Sequence, residues 1–480
     1  MRSLERRVVV ALVMVSARGH AQQGFTNAFA PEEFAARRAK VMHSIGDGVA
    51  ILQGTTERRG ESPLRQSNQF FYLTGVTEPR AMLIVDGRTH RSTLFLTPRT
   101  LARERAIGPY LDVGDSAARA TGLDAIVPRD SFATTVARLA ADKRKVFTLI
   151  RPEVLGSESA SDVLAHVRAT QNDPWDGRSS REETFIGHLK TAAPSSEIVD
   201  LDPVLDSLRA VKSPREIAVI RDATRLAGLG IMEAMRDAEP GMYEYELEGG
   251  AEYVYKRGGA YGESYFPLIA DGANMPYTHY HKNLATLKDG DLVQFDWAPD
   301  IASYTSDVTR VFPANGKFTP RQREFYTIYL RLYQALMTSI RVHVTAREIM
   351  DSAAVKMDKI VSSFAFTDPK IRSTAEAFVN RYRPNPNARG GGSLGHSVGM
   401  EVHDVRNPTP ALEPGYVFTI EPQMTMPGGE LSVRLEDMIL MTDSGYENLS
   451  AFVPIEIADI ERLMAQPGLG AHALKLPPAR

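Results

Sequence analysis

Two aspartates lie in a stretch that otherwise predicts buried β-structure, FDWAPDIASYTSDVTRVFP at 295–313. Asp296 follows the apolar run LVQF, and Asp307 lies eleven residues later in SYTSDVTRVF. The intervening PDIA is typical of a turn, and a hairpin centred between Ile301 and Ala302 would place the two aspartates opposite each other. Two carboxylates so placed repel each other, whereas a cation between them would remove the repulsion. The stretch therefore indicates a metal site, and the alternative is one aspartate in the turn with the other exposed.

Three further stretches place ionisable side chains in apolar or glycine-rich surroundings. GGSLGHSVGMEVHDV holds His396 and His403, beside glycines that let backbone approach a ligand closely. YVFTIEPQM places Glu421 at the end of an apolar run, and LSVRLEDMILM places Glu436 inside a predicted strand with Arg434 on the same face. Buried carboxylates almost always need a partner. Four carboxylates would carry about −4, which two divalent cations would neutralise, and such ligands suit Mn²⁺, with Co²⁺ or Zn²⁺ as alternatives.

In this order, Asp, Asp, His, Glu and Glu resemble the ligand set of the pita-bread metallopeptidases, a family that includes methionine aminopeptidase, aminopeptidase P and prolidase. The motifs FDWAPDIASYTSDVTRVFP, GHSVGMEVHD, FTIEP and VRLED match that family in order and spacing. The N-terminal half resembles the aminopeptidase P and prolidase branch in RRAKVM and LRQSNQFFYLTGVTEPRAMLIV, so the resemblance spans residues 30–460. It implies an α/β N-terminal creatinase/prolidase-like domain, an α+β pita-bread C-terminal catalytic domain and two divalent metal ions per chain, with manganese the first choice.

The resemblance also implies a role for each ligand position. Asp296 would chelate one metal. Asp307 and Glu436 would bridge both metals. His396 and Glu421 would bind the second metal. The nucleophile would be a water activated by the paired cations, and Glu421 would accept its proton and donate it again.

Three more residues take catalytic roles by the same resemblance. His403, seven residues after His396, would stabilise the tetrahedral oxyanion. His279, in NMPYTHY, matches an upstream histidine of the aminopeptidase P branch and would contact the substrate or shuttle a proton. Arg434 would hold the bridging glutamate and line the pocket. His281, two residues from His279, is interpreted as an ordinary surface or core residue.

Hydrolysis of the Xaa-Pro bond at the N-terminus of peptides is the function that the resemblance favours, and the alternative is a prolidase that cuts only Xaa-Pro dipeptides. Some prolidases have a longer segment between the catalytic histidine and the first glutamate, with an arginine that caps the dipeptide carboxylate. Here 17 residues separate His403 from Glu421, with Arg406 the one arginine among them, which favours the aminopeptidase. A metal-free binding module or a creatinase-like amidinohydrolase would not keep all five ligands. Many relatives have a histidine where this chain has Gly392, so a strict preference for proline stays open.

The composition limits the partners and the compartment. The chain of 480 residues has a net charge of −3 and no basic excess, which argues against nucleic acid as a partner. Short peptides are the partners that the resemblance implies. No apolar run reaches the ~18–20 residues of a membrane span. At the N-terminus, MRSLERR, VVVALVMVSA and RGHAQQ are together typical of a signal peptide at 1–21, which predicts a periplasmic or secreted protein. The absence of cysteine is compatible with an oxidising compartment, and the resemblance implies a homodimer or homotetramer.

Two large domains are expected to position these residues. Residues 30–175 contain a predicted helix, PEEFAARRAKVMHSI, and the β-rich runs GVAILQG, QFFYLTGV, AMLIVDG, STLFLTP and KVFTLI, which indicate an α/β lid domain. Residues 176–212 are polar and rich in turn formers, and are predicted to be a linker. The catalytic domain is predicted at 213–465, and it opens on a long helix whose capping box is formed by Ser213 and Glu216.

Overall fold

The computed structural model describes residues 24–56, 64–154, 159–384, 394–407 and 409–472. The predicted signal peptide and the position of Gly392 lie outside these ranges. The helices in the described ranges are α1 (Pro31–Ile45), α2 (Asn68–Thr74), α3 (Leu101–Ile107), α4 (Asp115–Thr121), α5 (Phe132–Ala140), α6 (Ala160–Asn172), α7 (Arg181–Ala192), α8 (Asp202–Ala210), α9 (Pro214–Asp237), α10 (Glu244–Arg257), α11 (Pro320–Met337), α12 (Ala346–Ser363), α13 (Pro369–Asn380) and α14 (Ile457–Met464). The strands are β1 (Val49–Gln53), β2 (Met82–Asp86), β3 (Arg91–Leu96), β4 (Ala125–Pro128), β5 (Val146–Thr148), β6 (Ile198–Asp200), β7 (Gly262–Glu263), β8 (Leu268–Asp271), β9 (Leu292–Asp296), β10 (Pro299–Asp300), β11 (Thr309–Pro313), β12 (Val417–Ile420), β13 (Gln423–Thr425), β14 (Ser432–Arg434), β15 (Asp437–Thr442) and β16 (Gly445–Asn448).

A six-stranded sheet organises the N-terminal half, in the order β4-β3-β2-β1-β5-β6. β1 runs antiparallel to β2 and parallel to β5, and helices lie between the strands along the chain, so the α/β prediction is confirmed. The predicted strand QFFYLTGV is wrong, because its first six residues belong to helix α2. Every residue of α2 is buried, so its apolar run shows no helical periodicity by which the sequence could have separated it from a strand.

The predicted linker at 176–212 is also wrong for most of its length. Helix α7 packs into the N-terminal domain, where Phe185 and Leu189 share a core cluster with Val136 of α5. Strand β6 then pairs in parallel with β5 and completes the sheet. The exposed face of α7 is polar, so the amino-acid composition of the segment resembles that of a linker. The opposite face of the helix is nevertheless buried.

The C-terminal half is α+β, as predicted. Ser213 and Glu216 form the expected capping box, and α9 buries one face over its 24 residues. Two three-stranded sheets, β11-β9-β8 and β12-β15-β16, lie beside the pair β13-β14, and their ends carry the ionisable residues singled out above. One hydrophobic cluster runs through both halves of the chain, with the Phe29 and Tyr304 ring centroids 5.4 Å apart. None of the helices in the described ranges is both long and apolar enough to cross a membrane.

The hairpin that contains the two aspartates has a different register from the predicted one. Asp296 pairs with Thr309, not with Asp307. The cause is the turn, where Ala302 and Ser303 both have positive φ, 51° and 67°, as in a two-residue type I′ turn. The turn is therefore centred one residue later than expected, which shifts the pairing by two residues. Asp307 lies before the start of β11, so it is near Asp296 without being its cross-strand partner.

Candidate metal centre

A single tyrosine brings the two aspartates together. Asp296 is the last residue of β9, and Asp307 lies two residues before β11. The hydroxyl of Tyr265 lies 2.6 Å from Oδ1 of Asp296 and 2.6 Å from Oδ1 of Asp307. A hydroxyl has one proton to donate, so it cannot neutralise both carboxylates at once. The two negative groups thus share one donor in a buried position.

Glu436 enters the same site from the break between β14 and β15. Its backbone bridges to Thr309, whose hydroxyl donates to Glu436 Oε2 at 2.7 Å. The other carboxylate oxygen, Oε1, is buried and has no hydrogen-bond partner among the described residues. Ligand atoms of Asp307, His396 and Glu436 all lie within 4.8 Å of one another. A buried oxygen without a partner, facing a carboxylate and an imidazole, fits a bound cation.

His396 and Glu421 complete the group. The backbone of His396 is fixed against strand β12, where its carbonyl accepts a hydrogen bond from Thr419 N at 2.9 Å. His396 Nε2 lies 3.4 Å from Asp307 Oδ2 and 3.4 Å from Glu421 Oε1. Glu421 follows the end of β12. The structure thus brings all five predicted ligand residues to one site.

Burial and mutual repulsion disfavour the charged forms of these carboxylates. Burial raises the pKa of Asp307 well above its usual value, and the charges of Asp296 and Glu421 raise it further. Burial also raises the pKa of Glu436, with the charge of Asp307 adding to the effect. The pKa of Asp296 is raised by burial too, against the charge of Arg434. Divalent cations would stabilise the ionised forms, so this donor set fits a metal centre.

Arg434 makes its close contacts with other carboxylates than Glu436, the residue that the resemblance implies it holds, although its charge also lowers the pKa of Glu436 against the larger effect of burial. The two-residue spacing places Arg434 and Glu436 on one face only if the predicted strand is continuous. The strand is interrupted between them, because β14 ends at Arg434 and β15 begins at Asp437. The buried guanidinium instead contacts Asp296 Oδ2 through Nη2 and lies 3.8 Å from Glu421 Oε2 through Nη1. Arg434 therefore lines the site and holds Asp296.

Of the other histidines singled out from the sequence, His403 contacts a ligand of the metal centre directly. The ring of His403 stacks on that of His396, with centroids 3.9 Å apart and planes 9° apart. The pKa of His403 is lowered to about 4, mainly by burial and also by the charges of His396 and His279. His279 is exposed, yet its charge also lowers the pKa of Asp296. His281 is exposed and packs edge-on against Phe266, as expected for a surface residue.

Three residues of the site were not found from the sequence. Tyr265, in ESYFP, has no spacing or composition that marks it as functional. Thr309 lies within the stretch that contains the aspartates, and its position two residues after Asp307 could have indicated that both face the same side. Arg310 is buried and donates through Nη1 to the Glu436 carbonyl at 2.7 Å and through Nη2 to Asp437 Oδ1 at 2.7 Å.

Known proteins share this architecture. Residues 218–443 match the sequence profile of Metallopeptidase family M24, and residues 34–147 match that of Aminopeptidase P, N-terminal domain. The Xaa-Pro aminopeptidase of Escherichia coli (strain K12) is 31% identical over 454 residues, covering 90% of this chain and 97% of that protein. The Xaa-Pro dipeptidase of Homo sapiens is 28% identical over 470 residues, covering 87% and 88%.

A solved structure extends the likeness to the fold. Aminopeptidase P from E. coli with the inhibitor Pro-Leu superimposes with a TM-score of 0.71 at 28% identity, over 91% of this chain and 98% of that chain. The predicted combination of an α/β N-terminal domain with an α+β pita-bread domain is thereby confirmed. The chain belongs to metallopeptidase family M24 and, by its N-terminal domain, to the aminopeptidase P branch of that family.

Proposed function

We propose that this protein hydrolyses peptides that begin Xaa-Pro and releases their N-terminal residue. The observation that carries the proposal is the gathering of four carboxylates and an imidazole in one site of a chain that also has the N-terminal domain of aminopeptidase P. The higher identity to the E. coli Xaa-Pro aminopeptidase than to the human Xaa-Pro dipeptidase supports the aminopeptidase over the alternative of a dipeptidase.

The residues of the centre would hold two divalent cations, for which we propose Mn²⁺, with Co²⁺ or Zn²⁺ as alternatives. Asp296 would bind one cation. His396 and Glu421 would bind the other. Asp307 and Glu436 would bind both. Such a pair, when bound, lowers the pKa of water and polarises the carbonyl of the scissile bond.

The side chains around the centre would move protons and stabilise charge. With its pKa lowered to about 4, His403 is neutral near pH 7 and has one N–H to donate to the oxyanion that develops on the carbonyl oxygen. Stacking on His396 fixes the plane of its ring. Glu421, whose Oε1 lies 3.4 Å from His396 Nε2, would accept a proton from the attacking water and return it to the proline nitrogen that leaves.

The surroundings of the centre favour a short peptide with a free N-terminus. Carboxylate oxygens that the cations leave free can pair with the α-ammonium group of a peptide. Side chains of the N-terminal domain contact the loop that carries His403, as in the hydrogen bond from Asn68 Nδ2 to Glu401 Oε1 at 3.3 Å. A domain in that position would cap the site and restrict access to short chains.

Reconstitution with Mn²⁺, elemental analysis and cleavage of matched peptides would test the function. We expect about two metal ions per chain and release of the first residue from Xaa-Pro-Yaa tripeptides, with slower cleavage of Xaa-Pro dipeptides. A chelator should abolish both activities. Faster cleavage of dipeptides than of tripeptides would identify a prolidase, and a protein that binds no metal would contradict the proposal as a whole.

We also propose a location and an assembly. Residues 1–21 have the basic, apolar and small-residue segments of a signal peptide, which supports a periplasmic or secreted protein. A homodimer or homotetramer is proposed from the family resemblance. Intact mass spectrometry of the purified protein would show whether residues 1–21 have been removed. Light scattering would give the mass of the assembly and so the number of subunits.

A further inference from the structure

The loop that carries His403, residues 399–405, is held by side chains from the N-terminal half of the chain. Arg209, at the end of α8, directs Nη2 to Glu401 Oε1 at 3.0 Å and also contacts Asp404 Oδ1. Glu401 lies two residues before His403, and Asp404 follows it directly. The same guanidinium therefore holds the loop on both sides of the histidine.

Lys212, which precedes α9, completes an ion cluster with Arg209, Glu401 and Asp404. Its Nζ lies 2.9 Å from Asp404 Oδ2. All four residues are buried, and the most accessible of them is 9% exposed. Two positive and two negative charges thus compensate each other away from water. A buried ion network is weak evidence for stability, and its best-attested use is to select one geometry.

The loop backbone links this cluster to the metal centre. Asp404 N donates to the carbonyl of Ser397 at 2.8 Å, next to the ligand His396. Gly399 packs so closely that a Cβ there would lie 2.1 Å from Asp404 Oδ2. A displacement of Asp404 would accordingly move the His403 ring relative to the His396 ring on which it stacks.

Two more side chains of the N-terminal domain donate hydrogen bonds to the same loop. Asn68, the first residue of α2, donates through Nδ2 to Glu401 Oε1 at 3.3 Å. Arg65 donates through Nη2 to the carbonyl of Met400 at 2.8 Å and through Nε to Asp300 Oδ2 at 3.0 Å. The N-terminal domain therefore contacts the loop at several points along its length, beyond any part it plays in capping the site.

We propose that Arg209, with Lys212, is a positioning residue that acts on the reaction through His403. The proposal rests on the role of His403 given under the proposed function. Reacting groups must be held to a fraction of an ångström, because a misplacement of about 1 Å can cost about 10²-fold in rate. A shift of the His403 loop would weaken an interaction made only in the transition state, so kcat would fall while KM stays nearly unchanged.

Arg209→Lys and Glu401→Gln test the proposal in the full-length, metal-loaded enzyme. The first keeps the positive charge but loses the forked geometry, and the second removes one charge while keeping hydrogen-bonding atoms. We expect kcat on an Xaa-Pro-Yaa tripeptide to fall roughly 10-fold or more in each, with KM changed less than about 3-fold. Metal content per chain, measured by elemental analysis, should equal that of the parent.

Combination with His403→Ala separates positioning from general structural damage. If Arg209 acts through His403, Arg209→Lys should lower kcat less than about 2-fold in the His403→Ala background. Arg144→Lys is the matched control: Arg144 is also a buried arginine of the N-terminal domain, and it pairs with Asp86 at 3.1 Å away from the loop. This control should keep the parental kcat in both backgrounds.

Three results would overturn the proposal. Arg209→Lys and Glu401→Gln could both keep the parental kcat. The fold decreases in kcat that these two variants cause could be undiminished in the His403→Ala background, which would show that the ion cluster acts independently of His403. Finally, His403→Ala could itself be as active as the parent, and that single variant would show that the assigned role of His403 has failed and the positioning proposal with it.

Discussion

At the scale of single residues, Glu436 gives the strongest indication of a bound cation. Its Oε2 has the hydroxyl of Thr309, while its buried Oε1 has no hydrogen-bond partner in the described structure. Leaving a buried carboxylate oxygen unpaired costs free energy, and a bound cation would offset that cost. Asp307 also indicates a bound cation, because it shares the single Tyr265 hydroxyl with Asp296.

Removal of either bridging carboxylate should therefore abolish binding of the metal pair. Asp307→Ala and Glu436→Ala are expected to lose both ions, as measured by elemental analysis after reconstitution with Mn²⁺, and to lose activity with them. Asp86→Asn is a suitable control, because Asp86 pairs with Arg144 in the N-terminal sheet, away from the metal centre. A Glu436→Ala protein with both metals and full activity would show that Glu436 does not bridge.

The stacked histidine should affect the rate and not the metal. His403→Ala is expected to keep the bound ions and to lose ~10²–10³-fold in kcat, the usual size for one oxyanion donor. His281→Ala, which removes an exposed histidine, should keep the parental rate. Steady-state kinetics on one tripeptide, with metal content measured in parallel, would check both variants. Equal kcat values for His403→Ala and the parent would assign His403 a structural role.

The sequence predicted the residues of the centre better than their partners. Charged residues such as Asp296 and Glu436 are conspicuous in apolar runs, and their order along the chain resembles a known family. Tyr265 could not be found in this way, because a tyrosine beside a phenylalanine is ordinary core composition. The close contact of Arg434 with Asp296 was not predicted, because a two-residue spacing places Arg434 beside Glu436 only in an unbroken strand.

At the scale of elements, the tight turn between β9 and β11 sets the relative position of the two aspartates. Ala302 and Ser303 occupy the left-handed region, and Ile301 and Tyr304 exchange both backbone hydrogen bonds across the turn at 2.9 Å. Left-handed backbone is unfavourable for residues with a Cβ atom, whereas glycine adopts it readily.

Ser303→Gly should consequently stabilise the catalytic domain. We expect the midpoint of its thermal unfolding to rise by roughly 1–3 °C, because relief of unfavourable backbone geometry is worth about 0.5–1 kcal/mol. Calorimetry of the metal-free protein would measure the change. Ser306→Gly is the control, since Ser306 lies outside the turn and its hydroxyl donates to Thr224 at 2.9 Å, so this variant should lose stability. A lower midpoint for Ser303→Gly would contradict this account of the turn.

Elements were predictable where one face of the chain is buried and one exposed. Helix α9 shows this pattern along with its capping box, and both were predicted. Helix α2 is buried on every side, so the 3.6-residue period is absent from its sequence. Strand β6 has only three residues, and its membership of the sheet depends on pairing with β5, which sequence alone does not encode locally.

At the scale of the whole molecule, two domains share one functional site. The catalytic domain supplies the carboxylates and histidines, and Arg65 and Asn68 of the N-terminal domain contact the loop that carries His403.

An Xaa-Pro-Yaa tripeptide should accordingly lose most of its reactivity when its N-terminus is acetylated, because acetylation removes the positive charge and adds bulk where room is small. We expect at least a roughly 10²-fold decrease in kcat/KM, which corresponds to about 2.7 kcal/mol of lost charge recognition. Competition between the free and acetylated peptides in one reaction would measure it. Equal rates would show that the enzyme is not an exopeptidase.

The N-terminus provides a separate prediction at this scale. If residues 1–21 are a signal peptide, the mature chain should begin near Gln22 and be recovered from the periplasm or the medium. N-terminal sequencing of fractionated cells would check this. An intact Met1 in the cytoplasmic fraction would contradict the predicted location without affecting the proposed activity.

The ion cluster beneath His403 also has a consequence for the order in which the protein matures. Arg209 is synthesised 192 residues before Glu401, and by then the sheet of the N-terminal domain is complete. Domains generally fold as units during synthesis, N-terminal first. An N-terminal domain that folds first would hold Arg209 and Lys212 in place before Glu401 and Asp404 pair with them. The catalytic loop would then complete its fold on a surface that already exists.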